Sequence, residues 1–257
     1  MAEFEINDSN WKDFAAPQKV NGELMGRGLI PRDFSARPYG SIFGLPAMAL
    51  PEFSDEEIED RIADHERHKS SLFHMRADYG IKSLNQASYP YCWAFSTTKA
   101  IMYLNARANN PVEELSGWML GSVASNFQKT GGWCEYSLQA AREVGVCSLA
   151  EWPQGGTSRS LWNATTKEQA AKRKVLEWSD MPGDDRERLL RIMRSLLVMN
   201  IPVMVECNRW RHSVCAFQAL PKKKYRIDNS WTPDWGDDGC AVMDWLPDNC
   251  ACPFVVG

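Results

Sequence analysis

Hydrophobic positions follow two regimes along the chain. From Ser54 to about residue 200 their period is helical. Ser54-Asp55-Glu56-Glu57 has the form of a capping box with acids in the first turn. Ile58, Ile62 and His65 follow at helical spacing, which predicts a helix to about Ser70. Cys92 to about Ala108 is apolar on most sides and predicts a buried helix. Ser137 to Val144 predicts another, stopped by Gly145, and Thr166-Lys167-Glu168-Gln169 caps a short one. Asp184 to Met199 predicts an amphipathic helix with Leu189, Leu190, Met193, Leu196 and Leu197 inward. Beyond residue 200 come short runs, "PVMVEC", "HSVCAFQAL", "KKYRIDNSW" and "GCAVMDWL", bounded by Pro, Gly, Asn and Asp. These predict strands of an antiparallel sheet. Helices first and strands last make an α+β class with two halves.

Residues 1 to about 53 fit neither period. "GLIPRDFSARPYGSIFGLPAMALPEF" scatters Pro and Gly among short apolar groups and predicts an extended arm lying on a surface. The expected organisation is an N-terminal arm and helix over 1–69, a helical half over 70–165 and a β-rich half over 166–257.

Composition narrows the function. The chain has 257 residues, 44% hydrophobic and 24% charged, as expected of a globular protein. A net charge of -4 leaves no basic footprint for nucleic acid. No apolar run approaches the roughly 18 residues that span a bilayer. The acidic start, Met1-Ala2-Glu3-Phe4-Glu5, lacks the apolar core of a secretory signal, so a cytoplasmic protein is expected. In that setting the eight cysteines read as mostly free thiols. Cys250-Ala251-Cys252 has no second pair, and His65 with His68 has no third ligand, so no metal is expected. "PKKK" reads as a charged turn.

The chemistry-bearing candidates are few. A thiol becomes a nucleophile when a helix N-terminus and an imidazole lower its pKa. Cys92 stands at such an N-terminus. Of the four histidines, His65, His68 and His74 lie on or near an exposed helix, whereas His212 opens a predicted strand. Asn229 ends another strand-like run and can orient an imidazole. Taken singly, Cys92 reads as a core thiol, Gln86 as a surface amide and His212 as a core histidine. Taken together and in order, they read as a nucleophile with its partners.

Several motifs carry a resemblance. "NQASYPYCWAFS" resembles the Asn-Gln, five residues, Cys-Trp-Ala-Phe-Ser of the papain family of cysteine peptidases. "MRADYGIKSLNQ" resembles the start of the mature enzyme. Thr130-Gly131-Gly132-Trp133 stands where the family has its double glycine. "RHSV" and "IDNSWTPDWGDDGCAVM" resemble its histidine and asparagine strands. His212 and Asn229 lie 120 and 137 residues after Cys92. The family spacing is about 130–150, so the first is short.

The resemblance spans about residues 70 to 245. It implies a papain-like fold, with a helical half and an antiparallel sheet or barrel half, preceded here by the arm and its helix. It implies acyl transfer without a cofactor. Cys92 would attack, His212 would exchange the proton as half of a thiolate–imidazolium pair, and Asn229 would orient the ring. The Gln86 amide and the Cys92 N–H would hold the oxyanion. Gly131, Gly132 and Trp133 would meet a peptide or protein substrate, Trp231 would shield the His212–Asn229 bond, and Trp93 and Arg211 would support the site. Trp133 equally reads as packing, and Trp93 and Trp235 as core.

Departures from the pattern matter too. Tyr89 replaces a family cysteine. A four-residue hairpin, Asn208-Arg209-Trp210-Arg211, replaces a long excursion and predicts a more open cleft. Arg211, if it turns inward, should depress the imidazole pKa, and Trp210 should either cover that loss or block the cleft. The arm lacks the helical signature of the usual inhibitory pro-segment; it can be a pro-segment, a permanent strap or a docking surface for a partner protein. An endopeptidase is the leading expectation. An amidase, exopeptidase or transferase with the same chemistry, or a silent papain-fold binding module, are the alternatives.

Overall fold

A computed structural model describes residues 3–31, 50–181 and 185–257. Seven strands form its main sheet. In spatial order they are β1 (Glu5–Asn7), β8 (Cys240–Asp244), β7 (Tyr225–Asp228), β6 (His212–Ala219), β5 (Val203–Cys207), β9 (Asn249–Val256) and β4 (Val175–Asp180). Neighbours are antiparallel except β1, which runs parallel to β8. All eight residues of β6 are buried, because helices cover both faces of the sheet there.

On one face lies α4 (Cys92–Arg107). It buries 14 of its 16 residues, so it is the central helix rather than an amphipathic cover. It packs between β6 and the pair α5 (Gly117–Ala124) and α6 (Cys134–Glu143). On the other face lies α8 (Arg186–Leu197), whose Leu189, Leu190, Met193, Leu196 and Leu197 are all buried as the heptad-like pattern demands. Asp185 caps it by accepting the Glu187 and Arg188 amides. Outside α8 sits α2 (Asp55–His68), which buries Ile58 and Ile62 and opens with the Ser54–Glu57 capping box. Two hydrophobic clusters result, one around α4 and one between the sheet and α8. Between them runs a polar seam, where Ser213 of β6 meets Ser96 at 2.9 Å and Cys134 at 3.0 Å. The eight cysteines are free and buried.

Some boundaries differ from the expectations. Helix α6 starts at Cys134 instead of Ser137, because Glu206 of β5 accepts the Cys134 N–H at 2.8 Å and serves as a cap from a distant strand. Helix α7 (Ala164–Ala170) is capped by Asn163, with Thr166 returning the bond as third residue. Helices α3 (Leu72–Asp78) and α5, and strand β4, carried no signal strong enough to predict. Residue 184 and the arm over 32–49 lie outside the described residues.

The described arm is not featureless. Its β1 joins the main sheet, where Ile6 is fully buried. Short helix α1 (Trp11–Ala15) follows, then a hairpin of β2 (Lys19–Val20) and β3 (Glu23–Leu24). Asn21 and Gly22 turn the hairpin with φ of 51° and 84°, the left-handed pair that an Asn-Gly turn favours. Elements of two to five residues are too short for periodicity to reveal. Tertiary contacts hold them, including Glu5 with Lys224 at 2.6 Å and Phe4 edge-on to Trp235.

Candidate active site

Three of the four expected catalytic side chains sit where an element begins or ends, and Gln86 lies between α3 and α4. Cys92 is the first residue of α4, Tyr91 before it supplies no side-chain cap, and the Trp93 amide turns to the Cys92 sulfur. His212 opens β6 after the expected four-residue hairpin, paired across it with Cys207. Arg211 completes that turn in left-handed backbone, φ 53°. Asn229 follows β7 directly. Its Oδ1 accepts from His212 Nε2 at 2.8 Å and from the Ser230 amide at 2.8 Å. An amide oxygen can only accept, so Nε2 carries the proton and Nδ1 of the neutral ring offers its lone pair. The Trp231 ring lies 4.5 Å from the imidazole and Trp210 5.0 Å, and both are buried. Trp210 therefore walls the histidine from behind, within a cluster that includes Trp235 and Trp245.

The sulfur of Cys92 is fully buried beside the start of β6. Burial raises its pKa to about 11, while the backbone N–H groups of Ser213, Gly28, Leu29 and Trp93 pull it down. Burial lowers the His212 pKa to about 3, opposed by the Asn229 bond and reinforced by the positive charge of Arg27. At neutral pH the covered site thus holds a thiol and a neutral imidazole, not the charged pair that the resemblance implied. Among the described residues Nδ1 of His212 has no hydrogen-bond partner. Arg211, expected to depress the imidazole, is exposed. The cation that does so is Arg27, whose guanidinium binds the carbonyls of Phe14, Ala15 and Ala16 and lies 5.2 Å from the Trp231 ring centroid.

What covers the site is the arm. Gly26 N–H donates to Ala87 O at 2.7 Å. The Gly26 carbonyl accepts from Gln86 Nε2 at 3.1 Å and Trp231 Nε1 at 3.0 Å. Gly28 N–H donates to the Cys92 sulfur at 3.2 Å, and its carbonyl accepts the Gly132 amide at 2.9 Å. Leu29 N–H reaches Arg211 O at 3.3 Å, and Leu29 pairs with Gly132 in the parallel sense. Trp133 Nε1 closes the run on Ile30 O at 2.7 Å. Gly131, Gly132 and Trp133 therefore line the arm's path.

The Gln86 side chain is held at both ends. Its Oε1 accepts from Ser230 Oγ at 2.5 Å, and its Nε2 also donates to Tyr89 O at 2.8 Å. The carbonyl on this donor is Gly26's, whereas the sulfur faces the Gly28 amide. Among the described residues, no arm peptide bond therefore offers its carbonyl to both groups. Trp93 is buried, bonded to Pro90 O at 2.9 Å.

Sequence reasoning missed Gly26, Arg27, Gly28, Ser213 and Ser230. The signal for the glycines was "GRG" inside an extended stretch, since alternate glycines mark a close backbone approach. A Cβ on Gly26 would stand 2.1 Å from Tyr89 O, and one on Gly28 1.9 Å from Pro90 O. Among the described residues no cluster of His, Cys, Asp or Glu could hold a metal ion, and no helix is long and apolar enough to cross a membrane.

No protein-family model matches the chain, and no curated protein sequence matches it. Solved structures do. Xylellain, a cysteine protease from Xylella fastidiosa, aligns with a TM-score of 0.61 at 16% identity, over 90% of this chain and 97% of that one. The digestive procathepsin L 3 of Tenebrio molitor larval midgut gives 0.56 at 18%, over 68% and 66%. The proform of Amb a 11, a ragweed pollen cysteine protease, gives 0.57 at 17%, over 70% and 63%. The aligned part of this chain thus spans about two thirds of the last two. At these identities the likeness shows the fold: a papain-like α+β arrangement of a helical and a sheet half.

Proposed function

We propose that the chain is a papain-type thiol peptidase held latent by its own arm, acting on peptide bonds of proteins or peptides. One observation carries the reading. The arm's Gly26 and Gly28 bind Gln86 Nε2 and the Cys92 sulfur side by side, the Ser213 amide next to His212 turns to that same sulfur, and the imidazole is already oriented by a 2.8 Å bond to Asn229. When the arm lifts, water enters and Arg27 withdraws with it, so neither burial nor that cation any longer opposes charge separation, and the thiol proton passes to Nδ1 of His212. The thiolate attacks the substrate carbonyl carbon. The developing oxyanion takes the Gln86 amide now bonded to Gly26 and the Cys92 N–H, one such donor being worth about 3 kcal/mol. The C–N bond breaks, the amine leaves with the Nδ1 proton, and water hydrolyses the acyl-enzyme. Trp231 keeps solvent from the Nε2–Oδ1 bond throughout. Gly131, Gly132 and Trp133 bind the substrate main chain as they bind the arm's.

Residues 1–69 then form the inhibitory segment, 70–165 contribute Gln86 and Cys92, and 166–257 contribute His212 and Asn229. Strand β1 is built into the sheet, and Glu52 pairs with Arg188 and Arg191 beyond the cover. That anchoring on both sides supports a strap that lifts over one that departs. Two of the similar structures are proforms by their descriptions. The eight unpaired cysteines support the cytoplasmic setting.

The test is a Gly28→Ala variant, in which the strap cannot seat, assayed on a mixed fluorogenic peptide library and with an epoxide thiol trap. Turnover and an adduct on Cys92 are expected. The filled groove and uncharged pair favour a second reading, a silent papain-fold binding module. Lack of both signals in the unstrapped variant selects it.

A further inference from the structure

Asp228 is the last residue of β7, immediately before Asn229, and its side chain is completely buried where the helical and sheet halves meet. Four groups converge on its carboxylate. Ser83 Oγ donates at 2.6 Å and Tyr103 Oη at 2.9 Å. Arg76 Nε and Lys99 Nζ each lie at 3.5 Å. Lys99 and Tyr103 belong to α4, about two and three turns after Cys92. Ser83 stands three residues before Gln86. Arg76 belongs to α3, and its terminal nitrogens hold Asp238 through the carboxylate and the carbonyl, both at 2.7 Å. Gly239, the next residue, accepts the Asn229 amide at 2.9 Å through its carbonyl.

The partners thus come from α4, which carries Cys92, and from the stretch that leads to Gln86, while Asp228 itself precedes Asn229; the chemistry described above leaves Asp228 without a role. Holding a helix on a sheet does not require a charge, and apolar packing does that with less desolvation cost. A buried carboxylate shared by a lysine and an arginine instead demands one geometry, because any slip of α4 along β7 strands Lys99 at 2% exposure.

We propose that Asp228 is a positioning residue: its buried ion-paired hub fixes α4 against the end of β7 and so sets where the Cys92 sulfur stands relative to Asn229 and the imidazole it orients. The proposal rests on the peptidase reading, and productive geometry of this kind tolerates displacements of only about 0.5 Å.

The test uses the unstrapped Gly28→Ala protein as parent and adds Asp228→Asn, alone and with Lys99→Met. Asp228→Asn should lower kcat at least tenfold with KM within twofold, and should shift the downfield proton resonance of His212 Nε2–H. Lys99→Met, which removes the stranded ammonium, should restore at least half of that loss on a logarithmic scale. If Asp228→Asn does not fold, Tyr103→Phe removes one donor and carries the same two readouts. A lower melting temperature with kcat and resonance unchanged overturns the proposal. A parent without turnover defeats the peptidase reading instead. The resonance then decides alone: displaced by Asp228→Asn it sustains the proposal, unmoved it overturns it.

Discussion

A methyl group on Gly28 would stand 1.9 Å from the Pro90 carbonyl oxygen, where ordinary contact begins at 3.4 Å. Both partners are backbone, so no side chain can swing aside. The strap must retreat by about 1.5 Å, far past the range in which a hydrogen bond survives. Three bonds then fail together: Gly28 N–H to the Cys92 sulfur, Gly132 N–H to Gly28 O, and Leu29 N–H to Arg211 O. At about 1 kcal/mol net for each, the seat weakens by about 3 kcal/mol. Since 1.4 kcal/mol is a factor of ten, the population of lifted strap should rise on the order of 100-fold. Alkylation of Cys92 by iodoacetamide measures that population directly, because the buried thiol reacts only when uncovered. The second-order rate should rise by the same factor in Gly28→Ala, and hydrolysis of a fluorogenic peptide should rise with it. An alkylation rate equal to the parent's would refute the reasoning, since the clash would then have been absorbed with the cover still closed.

Acid should open the strap. Burial holds the His212 pKa at about 3 in the covered state, against an ordinary value of about 6.5. A base whose pKa is depressed stabilises the covered state above its ordinary pKa and loses that contribution as pH falls toward the depressed one. The experiment uses a Cys92→Ala variant, in which no thiol can hand its proton to the uncovered ring, so that His212 alone titrates in this window. Amide hydrogen exchange at Gly28 and Leu29, corrected for intrinsic rates, should therefore gain in opening equilibrium between about pH 6.5 and pH 4; a constant opening equilibrium counts against it. Gln86→Ala in the unstrapped protein should cut kcat about 100- to 1,000-fold by removing one oxyanion donor, read in steady-state kinetics. Ile58→Ala empties a fully buried site between α2 and α8 and should cost about 2–5 kcal/mol in denaturant unfolding, with the Cys92 alkylation rate of the folded protein unchanged.

What the sequence made legible and what it hid divide along one physical line. Ser54 with Glu57, the apolar face of α8 and the all-round apolar α4 act through neighbours three or four residues away, so their pattern is local and readable. Cys92, Gln86, His212 and Asn229 stood out as candidates because the chemistry proposed for them would need one residue type at each place, in one order. Errors arose where a distant group did local work. Glu206 begins α6 in place of a sequence-adjacent cap, and Arg27, rather than Arg211, acts on the imidazole. The cover over the sulfur was the hardest to see, because it is made of main chain. Its bonds run from the amides and carbonyls of Gly26, Gly28 and Leu29, which every residue but proline possesses. Its sequence requirement is negative, two positions where no side chain fits. Such a segment can change most of its side chains and still close the site. A change at Gly28 alone should undo it, and that asymmetry separates a seated strap from a stretch of chain that merely passes the groove.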